Sequence, residues 1–132
     1  KKPILGICLG MQLMATYSQE GGKVDGLNWV DAEVKKFKTS DSLKFKIPHI
    51  GWNSVVQMKD SKLTQGISAN EEFYFVHSYF VKPKNEDLTL HRSSYIQNFC
   101  SAFERDNIFG VQYHPEKSHE AGQLILQNFL NL

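Results

Sequence analysis

Cys8 stands between two glycines in Gly6-Ile-Cys-Leu-Gly10, and His114 and Glu116 stand two residues apart in Gln112-Tyr-His-Pro-Glu-Lys-Ser118. A thiol, an imidazole and a carboxylate are the minimum set for covalent acyl transfer: a nucleophile, a proton carrier, and a group that orients and charge-balances the carrier. The G-x-nucleophile-x-G spacing suits a sharp strand-to-helix turn that lifts the nucleophile above a sheet, with small neighbours letting the backbone pass closely. A helix opening at Leu9 would aim its free N–H groups and positive dipole end at the sulfur and favour the thiolate. The Leu9 N–H would then be placed to stabilise an oxyanion. Pro115 steers His114 toward extended geometry, where residues i and i+2 face the same side. Glu116 can therefore reach one imidazole nitrogen and leave the other for a substrate. Taken singly, a buried structural cysteine and an incidental surface turn explain these segments as well; their conjunction favours catalysis.

Such groups need rigid elements to hold them. Ile4-Leu-Gly-Ile7 has the continuous apolar character of a strand buried in a parallel sheet. Leu9 to Tyr17 reads as a helix, with Leu9, Leu13 and Met14 on its inner face, stopped by Ser18-Gln-Glu-Gly-Gly22. Val30, Ala32 and Val34 alternate with polar or charged residues through Lys36 as in a half-exposed strand, and Lys38 to Lys46 reads as a turn or hairpin. Pro48 and Gly51 interrupt Ile47 to Asn53, which is expected to be irregular. Phe73-Tyr-Phe-Val76, Tyr79-Phe-Val81 and Leu88-Thr-Leu90 read as strands. Phe99 to Phe103 and Ile108 to Tyr113 form a strand pair around Arg105-Asp-Asn107. Glu120 to Leu130 forms a last helix, with Ala121, Leu124, Ile125 and Phe129 on one face. The mixture predicts an α/β domain, a mostly parallel sheet flanked by helices with an added antiparallel patch.

Composition narrows the functional classes. The 132 residues carry 15 basic and 14 acidic side chains, a formal charge of +1, without a basic stripe, so nucleic acid is not expected as a partner. No apolar run reaches transmembrane length and no signal peptide is visible, so a membrane is not expected either, and a cytoplasmic enzyme is the default. Two cysteines give no disulfide framework; Cys100, in Phe99-Cys-Ser-Ala-Phe103, reads as a small core residue. His91 and His119 read as solvent-facing. No Cys/His cluster has metal-ligand spacing, so neither a metal nor another cofactor is expected.

Four blocks carry a wider resemblance: Gly6-Ile-Cys-Leu-Gly-Met-Gln12, Pro48-His-Ile-Gly-Trp-Asn53, Tyr74-Phe-Val-His-Ser-Tyr79 and Gly110-Val-Gln-Tyr-His-Pro-Glu-Lys-Ser118. The chain resembles the class I, triad-type glutamine amidotransferases. The middle two blocks and Lys117-Ser118 look like the glutaminase subunits of imidazole glycerol phosphate synthase, in histidine biosynthesis. That resemblance implies hydrolysis of glutamine by Cys8, His114 and Glu116 through a glutamyl thioester, with Leu9 as oxyanion donor. Gln12, Glu20, His77, Ser78 and Tyr79 match positions around bound glutamine. Pro48, Trp52, Asn53, Tyr74 and Lys117 match positions at or near the docking face for a (β/α)-barrel cyclase subunit that consumes the ammonia. In that family, strands and a glycine-rich loop supplying a second oxyanion donor precede the cysteine strand. Residues 1–132 thus correspond to the C-terminal part of such a domain, from the nucleophile strand onward, without its N-terminal strands. Ser93-Ser-Tyr-Ile-Gln97 departs from the family pattern, where a Tyr-Gly is expected. Two other readings stay open: a paralogous subunit supplying ammonia to a surface-sugar amidotransferase, and a non-catalytic binding module.

Overall fold

The computed structural model describes residues 2–132. Along the chain run strands β1 (Ile4–Ile7), β2 (Tyr17–Ser18), β3 (Val24–Asp25), β4 (Ala32–Lys36), β5 (His49–Ser54), β6 (Val56–Gln57), β7 (Glu72–His77), β8 (Tyr79–Pro83), β9 (Thr89–Tyr95), β10 (Gln97–Arg105) and β11 (Ile108–Val111). Helix α1 spans Leu9–Leu13 and α2 His119–Leu130, with short 3-10 turns at Glu86–Leu88 and Pro115–Lys117. Among the described residues, nine strands join one mixed sheet whose main path is β1-β11-β10-β8-β4-β2-β3, with β9 on β10 and β6 on β9; β5 and β7 form a separate ribbon. The α/β class stands. Among the described residues parallel pairing is confined to β1–β11 and β2–β4, and the other pairings are antiparallel, so the sheet is mixed and mainly antiparallel where a mostly parallel one was expected.

The β1–β11 pair positions the site. Ile7 lies opposite Val111, and the Cys8 N–H continues the ladder onto the Val111 carbonyl at 2.8 Å. The chain then turns at Cys8, whose φ of 54° is one that L side chains avoid, and enters α1. Gly6 makes this possible: a Cβ there would stand 2.7 Å from the Gly10 backbone, whereas a Cβ on Gly10 would meet nothing within 4 Å. The close approach thus rests on the first glycine of the motif. Gly6→Ala is expected to destabilise the fold by about 2 kcal/mol, since the clash is with backbone. Gly10→Ala should be neutral or stabilising by a few tenths to about 1 kcal/mol. Urea midpoints of the two variants check this, and equal midpoints would refute it.

Helix α1 is shorter and rotated relative to expectation. Leu9 and Leu13 are 58% and 52% exposed, while Met11, Met14 and Ala15 are buried. The strained turn sets the rotation, and Met11 descends onto Gly110, where a Cβ would stand 2.7 Å from its Cγ. Residues 26–30 end the helix by returning across it: Leu27 donates to the Leu13 carbonyl, Trp29 and Val30 to Met14, and Asn28 to Ala15. Tyr17 and Ser18 are thereby free to pair with β4.

Residues 47–53 also differ from expectation. After a cis Ile47–Pro48 bond the chain forms β5 in register with β7, and Gly51 absorbs the irregularity at φ 122°. β9 is longer than expected and turns His91 fully inward, with Nδ1 3.0 Å from the Tyr113 hydroxyl; it is not solvent-facing. His119 is exposed as expected. Cys100 is buried, at a bulge where β10 bends between its partners. The divergent Ser93–Gln97 stretch closes the β9–β10 hairpin, with Ile96 at φ 66°, a left-handed conformation that glycine adopts without strain. An aromatic-rich core gathers Phe37, Phe73, Phe75, Phe80, Phe99 and Tyr113 with Ile125 of α2; Met11, Met14, Val34, Val81 and Phe103 form a second cluster.

Candidate active site

β1 and β11 run parallel, so their C-terminal ends deliver Cys8 and the segment Gln112–Glu116 to the same edge. His114 Nδ1 lies 2.8 Å from Glu116 Oε2, the expected contact, but it is made from the 3-10 turn Pro115–Lys117 and not along an extended segment; only His114 itself is extended. Ser118, whose part the sequence pattern did not signal, clasps this turn. Its buried hydroxyl donates to the His114 carbonyl and accepts from the Tyr74 N–H at 2.9 Å, while the His114 N–H donates to the Tyr74 carbonyl at 2.9 Å. Gly122 lets α2 seat against the turn, for a Cβ there would stand 1.9 Å from the Pro115 carbonyl oxygen.

The sulfur itself contacts the Val76 carbonyl at 3.8 Å and the Gln112 carboxamide at 3.5 Å; these, rather than His114, are its hydrogen-bond partners. Burial pushes the thiol pKa up, and the Leu9 N–H and Gln112 only partly pull it back. The Leu9 N–H at the helix end acts in the expected direction, toward the thiolate, but desolvation by burial outweighs it. Burial also acts to raise the Glu116 pKa, but the hydrogen bond to His114, its own backbone N–H and the charges of His114 and Lys117 together hold it below its ordinary value.

Beside the sulfur opens a cleft of about 410 Å³, lined by Cys8, Leu9, Gln12, Glu20, Val76, His77, Ser78 and Tyr79. Every residue matched to glutamine binding lines it, together with Val76, which the strand pattern alone did not distinguish. The His77 ring is committed inward, with Nδ1 2.8 Å from the Tyr79 carbonyl and Nε2 3.0 Å from His49 Nδ1.

The residues matched to a docking face divide. Trp52 is 44% exposed, not core; it pairs across the ribbon with Tyr74, ring centroids 5.9 Å apart, and stacks on His119 at 5.1 Å. Ile50, 60% exposed and opposite Val76, continues this face toward the cleft and had been missed. Pro48 and Lys117 are exposed. Asn53 alternates to the other side, where its side-chain amide donates to the Ser94 carbonyl at 3.0 Å.

The chain matches the class-I glutamine amidotransferase family over residues 1–132. It belongs to that family. The chain is 46% identical over 132 residues to "Imidazole glycerol phosphate synthase subunit HisH 1" of Campylobacter jejuni strain RM1221, covering all of this chain and 64% of that protein. It is 44% identical over 133 residues to the HisH subunit of Leptospira interrogans, covering all of this chain and 65% of that protein. The chain thus spans about 64% of the length of these curated relatives. Among solved structures, a putative GMP synthase component from Thermoplasma acidophilum superposes with a TM-score of 0.72 at 25% identity, covering 98% of this chain and 56% of that one. A glutamine amidotransferase from Thermotoga maritima shares the fold, with a TM-score of 0.64 at 19% identity over 98% of this chain and 47% of that one. Among the described residues no helix is long and apolar enough to cross a membrane.

Proposed function

We propose that this amidotransferase chain, corresponding to the nucleophile-bearing C-terminal part of such a domain, hydrolyses glutamine and passes the ammonia to a cyclase partner. The acceptor reaction is that of imidazole glycerol phosphate synthase in histidine biosynthesis, in the cytoplasm. The observation that carries the reading is the strained Cys8 turn opening onto a cleft, with the His114–Glu116 pair following the strand that runs parallel to the cysteine's own. Cys8 Sγ, deprotonated with the help of His114, attacks the glutamine carboxamide carbon. The C–N bond then breaks as His114 returns the proton to the departing ammonia, leaving a glutamyl thioester on Cys8. Water, deprotonated by His114, cleaves the thioester and releases glutamate, with Glu116 holding the imidazole throughout. The Leu9 N–H faces the developing oxyanion. Gln12, Glu20, Ser78 and Tyr79 surround the bound amino acid, with His77 fixing the cleft wall from behind.

The raised thiol pKa and the absence of His114 from the sulfur's partners support low basal hydrolysis, with the partner completing the site. The apolar strip of Ile50, Trp52 and Tyr74 borders the cleft through Val76 and suits a (β/α)-barrel cyclase face that receives ammonia without exposing it to water. Pro48 and Lys117 flank that strip; Asn53 supports it from the opposite side. The test is ammonia release from glutamine by the protein alone and with an imidazole glycerol phosphate synthase cyclase subunit plus its nucleotide substrate. Stimulation by the partner supports the reading, and no release in either arm counts against it. Trp52→Ala is expected to weaken partner binding by about 2 kcal/mol, roughly thirtyfold in Kd, while leaving Cys8 alkylation unchanged. Unchanged affinity by titration calorimetry would remove Trp52 from the interface.

A further inference from the structure

Gln112 precedes the His114–Glu116 pair in sequence, yet its side chain turns to the nucleophile. It is fully buried, with Nε2 3.5 Å from Cys8 Sγ and Oε1 3.1 Å from Gln12 Nε2. A carboxamide can be turned end for end, so which end faces the sulfur must be argued. The Tyr79 backbone carbonyl decides it. That oxygen can only accept, so Gln12, 3.2 Å away, must present its NH2 end. The same NH2 can only donate to Gln112, which must therefore accept with Oε1 and point Nε2–H at the sulfur. Reversing Gln112 would set two NH2 groups against each other and turn a carbonyl oxygen toward Cys8.

We infer that Gln112 is a positioning residue for the nucleophile: its carboxamide, locked in polarity by the Tyr79 carbonyl through Gln12, is a built-in donor that holds the Cys8 sulfur and stabilises its anion. A donor to an anion is worth more than one to a neutral thiol, so the contact strengthens as the proton leaves. It counters the desolvation that otherwise disfavours the thiolate in this half-buried site. The inference rests on Cys8 being the nucleophile, but its consequence can be read without turnover.

The experiment is the pH dependence of Cys8 alkylation by iodoacetamide, with the modified peptide identified by mass spectrometry, in the wild-type protein and in Gln112→Met and Gln112→Asn. Methionine keeps the volume without a donor. Asparagine keeps the polarity but withdraws the amide by one methylene. Both variants are expected to raise the apparent thiol pKa by about one unit, which is about tenfold slower alkylation at pH 7. A purely structural role would lower the melting temperature and leave the alkylation profile in place. An unmoved profile in either variant that retains the wild-type circular dichroism overturns the inference, whatever happens to glutaminase activity. No glutamine hydrolysis by the wild-type protein with its cyclase partner, alongside the expected alkylation shift in the variants, would instead count against the functional reading and leave the inference standing.

Discussion

Cys8→Ala is expected to abolish glutamine-dependent ammonia release, by a factor of about 10⁴ or more, while leaving partner affinity intact. The sulfur is the nucleophile of the proposed route, and without it no thioester forms. Residual hydrolysis at the wild-type rate would sink the assignment. The same residue offers a second readout. At φ 54° a side chain at position 8 is strained, by roughly 1–3 kcal/mol, wherever it ends in sulfur or hydrogen. Cys8→Gly should therefore be equally inactive yet melt above Cys8→Ala, because glycine adopts positive φ at little cost. A Gly variant no more stable than the Ala variant would mean that the turn stores no strain. An inactive but stabilised variant would show that the chain holds this conformation for the chemistry.

The proposed catalytic constellation was legible because its spacing is local. G-x-C-x-G specifies a turn, which holds, and Pro115 keeps His114 extended as expected; the chain then closes into the 3-10 turn Pro115–Lys117 instead of staying extended, and Glu116 reaches the ring from that turn. The cleft residues became legible through the resemblance, since spacing alone does not bring Glu20 beside Ser78. Long-range competition hid the rest. α1 stops at Leu13 because the 26–30 segment takes its carbonyls, and no property of residues 14–17 signals that. Leu9 and Leu13 looked like a core stripe, but a strained entry turn rotates a short helix away from its own hydrophobic pattern. Trp52 and Asn53 looked like one patch until pairing placed them on opposite sides of the ribbon. Strand alternation should have separated them; Pro48 and Gly51 hid the strand. His91 is the sharpest case, since nothing near it in sequence shows that Phe73 and Tyr113 enclose it.

That buried histidine and two others lead to the largest expected effect on stability. His49, His77 and His91 are 3%, 6% and 0% exposed, and burial lowers each pKa to about 4. The His49–His77 tautomers follow from the hydrogen bonds. The Tyr79 carbonyl accepts from His77 Nδ1, so His77 Nε2 accepts from His49 Nδ1, and His49 Nε2, 3.4 Å from the Asn53 amide, accepts in turn. Each ring is neutral with every proton placed, and adding one proton breaks the chain. The nearby imidazole of His114 acts in the same direction on His77. In the unfolded chain these histidines titrate near 6.5, so between pH 6.5 and 4 the unfolded state binds more protons. The stabilisation is therefore complete above pH 6.5 and is lost as pH falls toward 4, by about 3 kcal/mol per histidine. Three such losses approach the roughly 5–15 kcal/mol that holds a domain folded. Glu116, with its lowered pKa, runs the same way at still lower pH. Melting temperature is thus expected to be level from pH 8 to 7, to fall steeply below 6.5, and to reach acid unfolding near pH 5. The slope should report close to three protons taken up on unfolding. The double substitution His91→Leu with Tyr113→Phe removes one titrating ring and its hydroxyl partner together, a near-neutral exchange at pH 8 that should lower the uptake by one proton. A melting temperature independent of pH down to 4.5 would mean that these rings are protonated in the fold, and the hydrogen-bond polarity argued from Tyr79 would fail with it.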